Sequence, residues 1–327
     1  MSSNARNRRY RSATAVLVAL AVILGLTACG VTEQEEDEGL AARRARRSEE
    51  TIRIVYPPWS SEIASAHLFR AVLKERLGYR VELIPVEAEQ MWSRVADGEA
   101  DVLTGAWLPT THGEYAEQYA DRLEDLGSNL NGARIGLVVP TVTPGRRTDD
   151  TGRTGRPFVT IDSIEGLADT RDEFGGRIIG IESGAGVVTR AHEALEAYEL
   201  GALYDVVETD EEHMLERLSA AVRRDEWIVL TGWKPHWMFE LFNLRFLDDP
   251  RGVFGEEESI HTMVREGFAE ELPDAHTVLG RISYEPNELE RLMRWIREDD
   301  TDDPYGQALR WLEVHPDTVD DWVKGVE

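Results

Sequence analysis

Three tryptophans occupy similar positions along the chain. Trp59, Trp107 and Trp233 each follow a short apolar run, and each lies close to Gly or Pro. Such runs are typical of buried strands, and ligands of open α/β sheets bind beyond the carboxyl ends of the strands. Three aromatic rings at that edge indicate a cage for a cation that has no N–H to donate, such as a quaternary ammonium. The alternative is that they are core or interface residues, because Trp is highly buried on average.

A glycine-rich segment supplies the complementary chemistry. A predicted strand over residues 177–181 runs into Gly184 and Gly186, and a helix is expected to begin near Val187. Free N–H groups at such a helix start can hold a small carboxylate, and we assign this role to Gly186 and Val187. A dinucleotide fingerprint fits less well, since Thr189 stands where GxGxxG requires its third glycine. An ordinary glycine-rich turn remains the other alternative.

His112 follows Trp107 by five residues, and its ring can either donate to a ligand carboxylate or simply sit at a helix start. The sequence contains no GxSxG, HExxH or P-loop motif and no CxxC pair. We therefore expect no enzyme activity, no metal site and no cofactor.

The elements that must position these residues alternate between strand-like runs and helical periods. This pattern indicates an α/β fold with mainly parallel strands. The predicted strands cover residues 52–56, 80–86, 101–104, 134–140, 177–181, 227–231 and 244–247. The predicted helices cover residues 62–77, 88–96, 112–120, 187–198, 211–223, 273–279, 285–298, 305–314 and 317–324. Ser60 or Ser61 is expected to cap the first helix and Gly78 to end it, while residues 144–157 form a predicted surface loop.

The first residues have the character of an export signal. A basic start precedes an apolar stretch over residues 13–26, which is short for a membrane span. The sequence Leu26-Thr27-Ala28-Cys29 resembles a bacterial lipobox, which implies cleavage after residue 28 and acylation of Cys29, the only cysteine. A plain signal peptide is the alternative, and the export route, Sec or twin-arginine, stays open. Residues 29–49 are rich in Glu, Asp, Ala and Arg, and we predict a flexible linker there.

The chain is strongly acidic. It has 62 Asp and Glu against 36 Lys and Arg, with a formal net charge of −26. This balance argues against nucleic acid as a partner, because phosphates require a basic patch. A surface of this kind indicates a halophilic source, where salt screens the self-repulsion. An acidic interaction surface is the competing interpretation.

Taken together, these residues resemble the glycine betaine-binding proteins of osmoprotectant ABC importers, from about Ile52 to the C-terminus. The segments that carry the resemblance are YPPWSSEIAS, TGAWLPTTHGEYAEQY, ARIGLVVP, GIESGAGVVTRA, WIVLTGWKPHWMFELFNLRFLDDP and IHTMVREGF. The resemblance implies a two-lobed periplasmic-binding-protein fold, type II-like, that closes on its ligand by a hinge. Residues 50–133 plus 261–327 would form lobe 1 and residues 134–260 lobe 2.

The resemblance also implies roles for single residues. Trp59, Trp107 and Trp233 would form a prism around a trimethylammonium group, while the Gly186 and Val187 N–H groups and His112 would hold the carboxylate. The chain would then be a lipid-anchored, extracytoplasmic receptor, expected to be monomeric, that delivers glycine betaine or a related betaine to an ABC permease and its ATPase. An enzyme acting on choline-like compounds and a signalling receptor with the same fold are the alternatives.

Overall fold

The computed structural model describes residues 42–141 and 159–326. The predicted signal peptide, Cys29 and the predicted loop over residues 144–157 lie outside the described residues. In the described ranges, no helix combines the length and apolar character that crossing a bilayer requires.

The observed strands and helices follow the predicted alternation. The strands are β1 Thr51–Tyr56, β2 Arg80–Pro85, β3 Val102–Leu108, β4 Leu123–Pro140, β5 Arg177–Ile179, β6 Asp205–Val207, β7 Leu230–Lys234, β8 Leu244–Phe246 and β9 Glu258–Arg265. The α-helices are α1 (residues 42–47), α2 Ser60–Ala71, α3 Gln90–Ala96, α4 Gly113–Gln118, α5 Arg171–Phe174, α6 Gly186–Ala197, α7 Glu211–Arg224, α8 Met238–Phe242, α9 Phe268–Glu271, α10 Pro273–Leu279, α11 Pro286–Glu298, α12 Pro304–Val314 and α13 Pro316–Val323. A π-helical turn, Val72–Leu77, extends α2, and a 3₁₀ helix covers Ile164–Asp169.

The strands form one mixed sheet in the order β2-β1-β3-β9-β4-β7-β5-β6, with β8 paired to β4. The pairs of β1 with β2 and β3, and of β5 with β6 and β7, are parallel. Every described pairing of β4 and β9 is antiparallel. The expectation of mainly parallel strands was therefore wrong for the centre of the sheet, where two long strands run against their neighbours.

Strand β4 connects the two parts of this sheet. Its first part, up to Ala133, pairs with β9, and its second part, from Arg134, pairs with β7 and β8. We call the part with β1, β2, β3 and β9 sheet A, and the part with β5, β6, β7 and β8 sheet B. One apolar core extends across both parts, and a second, smaller one around Met91 and Trp92 packs against sheet A.

The ends of α2 differ from the expectation in one respect. Gly78 terminates the helical segment with φ of 88°, as predicted, because glycine tolerates this left-handed conformation. Neither Ser60 nor Ser61 caps the start by its side chain: the N-cap is Trp59, and the Ser60 N–H donates to the Glu211 carboxylate at 2.8 Å. The group that caps α2 is thus the Glu211 carboxylate of α7, a helix that lies between β6 and β7 in the chain.

The folded body begins earlier than the predicted linker allows. Residues 42–47 are helical, and the Arg47 side chain is 2% exposed. Its guanidinium pairs with Asp274 and donates to the carbonyl groups of Leu77 and Val326. The Arg-rich composition suggested a solvated segment, yet this one arginine anchors it, since a buried guanidinium needs several acceptors.

Candidate ligand-binding site

The cavity lies between sheet A and sheet B, has a volume of about 20 Å³ and is partly open to solvent. Its lining consists of Trp59, Trp107, Thr111, His112, Ile135, Ile181, Ala185, Gly186, Val187 and Trp233. The structure thus places all six residues that the sequence singled out for ligand contact around one space. Thr111, Ile135, Ile181 and Ala185 complete the wall and were not singled out.

The three tryptophans reach this cavity from the carboxyl ends of three different strands or just beyond them. Trp59 is the N-cap of α2, three residues after β1, whereas Trp107 and Trp233 lie within the last residues of β3 and β7. They are 7%, 3% and 4% exposed, respectively. The centroids of the Trp59 and Trp233 rings are 6.3 Å apart, and their planes are tilted by 49°. The rings therefore meet at angles and line a concave surface.

The indole N–H groups of the three rings are satisfied differently. Trp59 Nε1 donates to Glu182 Oε1 at 2.7 Å, and Trp107 Nε1 donates to Glu62 Oε1 at 3.4 Å. Trp233 Nε1 is buried and has no partner among the described residues. Sequence reasoning did not single out Glu62 or Glu182, and only the packing of α2 against β3 and of the β5–α6 connection against Trp59 brings them here.

His112 is a buried, neutral ring. Its side chain is 2% exposed, and burial lowers its pKa to about 3, an effect that the Gly105 carbonyl partly offsets. The Nδ1 atom of His112 accepts a hydrogen bond from the backbone N–H of Trp107 at 3.1 Å. The proton of the neutral ring is therefore on Nε2. The ring can thus offer one N–H to an anion while its other nitrogen is fixed by the backbone of β3.

Helix α6 begins at the cavity. Gly186 and Val187 are its first two residues, and the first N–H groups of a helix have no acceptor within it. The Gly186 backbone also closely approaches the connection between β3 and α4, since a Cβ at this position would lie 2.6 Å from the Thr111 carbonyl oxygen. Glycine is required here to let the two parts of the molecule approach each other.

The cavity contains groups that attract cations and groups that attract anions. Its lining combines aromatic faces, which attract cations, with helix N–H groups and a neutral histidine, which attract anions. The spatial arrangement suits a small zwitterion whose cationic end carries no N–H. Within the described parts of the chain, no cluster of three or more His, Cys, Asp or Glu has the arrangement of a metal site.

Comparison with known proteins identifies relatives among the binding proteins of glycine betaine transport systems. The family model described as the substrate-binding domain of ABC-type glycine betaine transport systems matches residues 50–314. The glycine betaine/carnitine transport binding protein GbuC of Listeria monocytogenes is 34% identical over 169 residues, which is 51% of this chain. The match spans little more than half of that relative, 56% of its length.

Solved structures agree in fold. The glycine betaine/L-proline-binding protein ProX of Borrelia burgdorferi superposes with a TM-score of 0.76 at 31% identity, covering 84% of this chain and 97% of that one. Lactococcal OpuAC, in its closed conformation with glycine betaine bound, superposes with a TM-score of 0.74 at 33% identity. The match covers 84% of this chain and 100% of that one. A choline-binding protein of an ABC transporter, in complex with choline, superposes with a TM-score of 0.73 at 26% identity. The match covers 84% of this chain and 92% of that one. The α/β fold is therefore that of two-lobed periplasmic binding proteins, as predicted.

Proposed function

Since the chain belongs to the family of substrate-binding domains of ABC-type glycine betaine transport systems, we propose that it binds glycine betaine between its two lobes and delivers it to an ABC permease for osmoprotection. Related betaines of the same shape fit the same proposal. The observation that carries it is one cavity lined both by three Trp rings and by His112, Gly186 and Val187.

The physics of the ligand fits this division. A trimethylammonium group has no N–H, so only aromatic faces and charges can recognise it, at roughly 2 kcal/mol or more per desolvated contact. The carboxylate needs donors, and charge-assisted hydrogen bonds are the strong ones. Glycine betaine is a zwitterion without net charge, so the acidic surface of the protein neither steers nor repels it strongly.

We assign residues 50–133 plus 261–327 to one lobe and residues 134–260 to the other. The change of partners along β4 between Ala133 and Arg134 supports the first boundary, and the second lies near the start of β9, which returns the chain to sheet A from Glu258. Trp59, Trp107 and His112 then belong to one lobe, and Trp233, Gly186 and Val187 to the other. A ligand held by both groups stabilises the closed form by its differential affinity for closed over open.

The test is calorimetric titration of the full chain, in high salt to screen its acidic surface, with glycine betaine, choline and proline. We expect saturable one-to-one binding of glycine betaine and much weaker binding of choline, which has no carboxylate. Choline binding as tight as that of glycine betaine would retain the cage and refute the roles of His112, Gly186 and Val187. Folded protein that binds no quaternary amine would refute the function.

We also propose that acylated Cys29 holds the protein at the outer face of a membrane, on the strength of the lipobox-like sequence Leu26-Thr27-Ala28-Cys29. Incorporation of labelled palmitate into the wild type but not into Cys29→Ala is the expected result. Equal labelling of both would contradict the anchor.

A further inference from the structure

Two carboxylates lie behind the rings of the cavity. Glu182 accepts the indole N–H of Trp59 at 2.7 Å, and Glu62 accepts that of Trp107 at 3.4 Å. Each anion is therefore attached to the edge of a ring whose other surface lines the cavity. Two of the three rings that would surround a cation carry a carboxyl group directly behind them.

The surroundings of Glu62 are unusual for a carboxyl group. The residue is 2% exposed on α2, and its Oε2 is buried without a hydrogen-bond partner. It fits only because β3 has a glycine opposite it, since a Cβ on Gly105 would collide with the carboxyl oxygens. Burying a polar oxygen without a partner costs stability, so a purely structural role would be better served by an apolar side chain.

Within residues 42–141 and 159–326, no cationic side chain compensates the charge of these two groups. Among the described residues, no Lys, Arg or His forms an ion pair with Glu62 or Glu182. The groups that shift the pKa of Glu182 electrostatically are two more acids, Glu87 and Glu211, which raise it further after burial has done so. Burial raises the pKa of Glu62 to about 7, and the Trp107 N–H offsets this only in part.

We propose that Glu62 and Glu182 are specificity-determining residues that make the cage select a permanent cation over a neutral group of the same shape. The proposal rests on the function proposed above and concerns the same cavity. A carboxylate at the indole N–H polarises the ring and makes its face more attractive to a cation. In a site from which water is excluded, the carboxylate charge itself also acts over the width of the ring.

The sharpest probe is the neutral isostere of glycine betaine. In 3,3-dimethylbutanoate a tert-butyl group replaces the trimethylammonium group, while the shape and the carboxylate remain. Affinities of the full chain for both ligands are measured at about pH 8, where both ligand carboxylates are ionised. The variants are Glu62→Gln and Glu182→Gln, each of which keeps an oxygen to accept the indole N–H and removes the charge.

We expect each variant to bind glycine betaine roughly tenfold more weakly and the isostere as well as, or better than, the wild type. Glu124→Gln removes one charge from an exposed carboxylate of β4 that pairs with His276, and it should change neither affinity. Equal losses for both ligands would overturn the proposal, because the carboxylates would then only hold the indoles in place. A wild type that binds no quaternary ammonium would instead refute the proposed function, so the two failures are distinguishable.

The pH profile gives an independent readout. A bound cation favours the ionised form of Glu62, so binding releases a proton and the affinity for glycine betaine should rise as the pH rises through about 7. The titratable groups nearby are His112, which stays neutral, Tyr284, whose pKa is raised by burial and by Glu62, and Glu211, which holds the start of α2. Glu62→Gln should flatten the profile between about pH 6 and about pH 8. An unchanged slope in that variant would overturn the assignment to Glu62.

Discussion

Trp107 is hydrogen-bonded to two other residues around the cavity. Its ring lines the cavity, its indole N–H donates to Glu62, and its backbone N–H donates to His112. Trp107→Ala removes one aromatic face and the indole N–H that Glu62 accepts, while the backbone N–H that holds His112 remains. We expect the affinity for glycine betaine to fall by about thirtyfold or more, in line with the loss of one desolvated cation–π contact.

Calorimetry measures this loss, and the control is Trp227→Ala. Trp227 packs against Phe174, with ring centroids 5.2 Å apart, away from the cavity. Its truncation should lower stability and leave the affinity close to that of the wild type. If Trp107→Ala binds as tightly as the wild type, the cage interpretation is wrong.

The cavity-lining residues that the sequence singled out are those with a rare local setting. A Trp at a strand end, a His five residues later and a glycine-rich helix start are recognisable without a structure. Glu62 and Glu182 are not, since Glu62 has the same local sequence signal as any acid in the first turn of a helix. Ile135 looks like an ordinary apolar residue of a strand. Their part in the site depends on tertiary packing, which one sequence does not specify.

At the scale of elements, Asp101 joins three strands of sheet A. It lies just before β3 and is buried, with its side chain 3% exposed. It accepts hydrogen bonds from the Arg53 backbone and side chain in β1 and pairs with Arg265 in β9. Burial alone would raise the pKa of Asp101, but the bonds from Arg53 and Arg265 outweigh it and hold the pKa below its usual range.

Asp101→Asn should lower the free energy of unfolding by about 2 kcal/mol, a value reduced for the partial exposure of Arg53. Urea unfolding measures it. Because the folded-state pKa is depressed, the contribution of the carboxylate is present above the unfolded pKa of about 3.9 and is lost as the pH falls through the folded value. The difference between wild type and variant should thus persist at neutral pH and shrink only below about pH 4.

Asp97→Asn is the matched control, since Asp97 pairs with Arg122 at the surface and both side chains are about half exposed. Its effect should stay within about 0.5 kcal/mol. Equal stability losses in the two variants at neutral pH would contradict the role given to Asp101.

The alternation of periods predicted most of the longer helices and six of the strands together with the second half of β4, but it missed the edge strand β6 and much of the centre of the sheet. β9 and the first half of β4 were missed as strands. The sequence of residues 123–133 contains two glycines and two asparagines, which gives no strand periodicity. Its extended conformation comes from pairing with β9, more than a hundred residues later. Non-local pairing of this kind leaves little trace in local composition.

At the scale of the whole molecule, polar contacts join sheet A to sheet B around the cavity. The Glu211 carboxylate of α7 accepts hydrogen bonds from the backbone N–H and the hydroxyl group of Ser60 at the start of α2. It also contacts Nε2 of the buried His236 ring at 3.0 Å. Arg190 of α6 donates to the Thr110 carbonyl at 2.9 Å. Burial opposes the charge of Glu211, yet His236 and Ser60 lower its pKa below the usual value. These hydrogen bonds stabilise the conformation in which sheets A and B lie close together. A bound ligand stabilises it further, by as much as it binds the closed form more tightly than the open form.

Gly186 tests whether this approach is needed for binding. Gly186→Ala keeps the N–H group that we assign to the ligand carboxylate, and alanine is the better helix former, so α6 itself should not be weakened. The added Cβ, however, would meet the Thr111 carbonyl oxygen at 2.6 Å, and a backbone atom cannot yield as a flexible side chain can. We therefore expect an unchanged or slightly raised melting temperature together with an affinity for glycine betaine reduced roughly tenfold or more. Gly201→Ala, which would meet no atom within 4 Å, should leave the affinity as it is. Calorimetry with thermal unfolding separates the two quantities, and wild-type affinity in Gly186→Ala would mean that the ligand is held without close contact between the lobes.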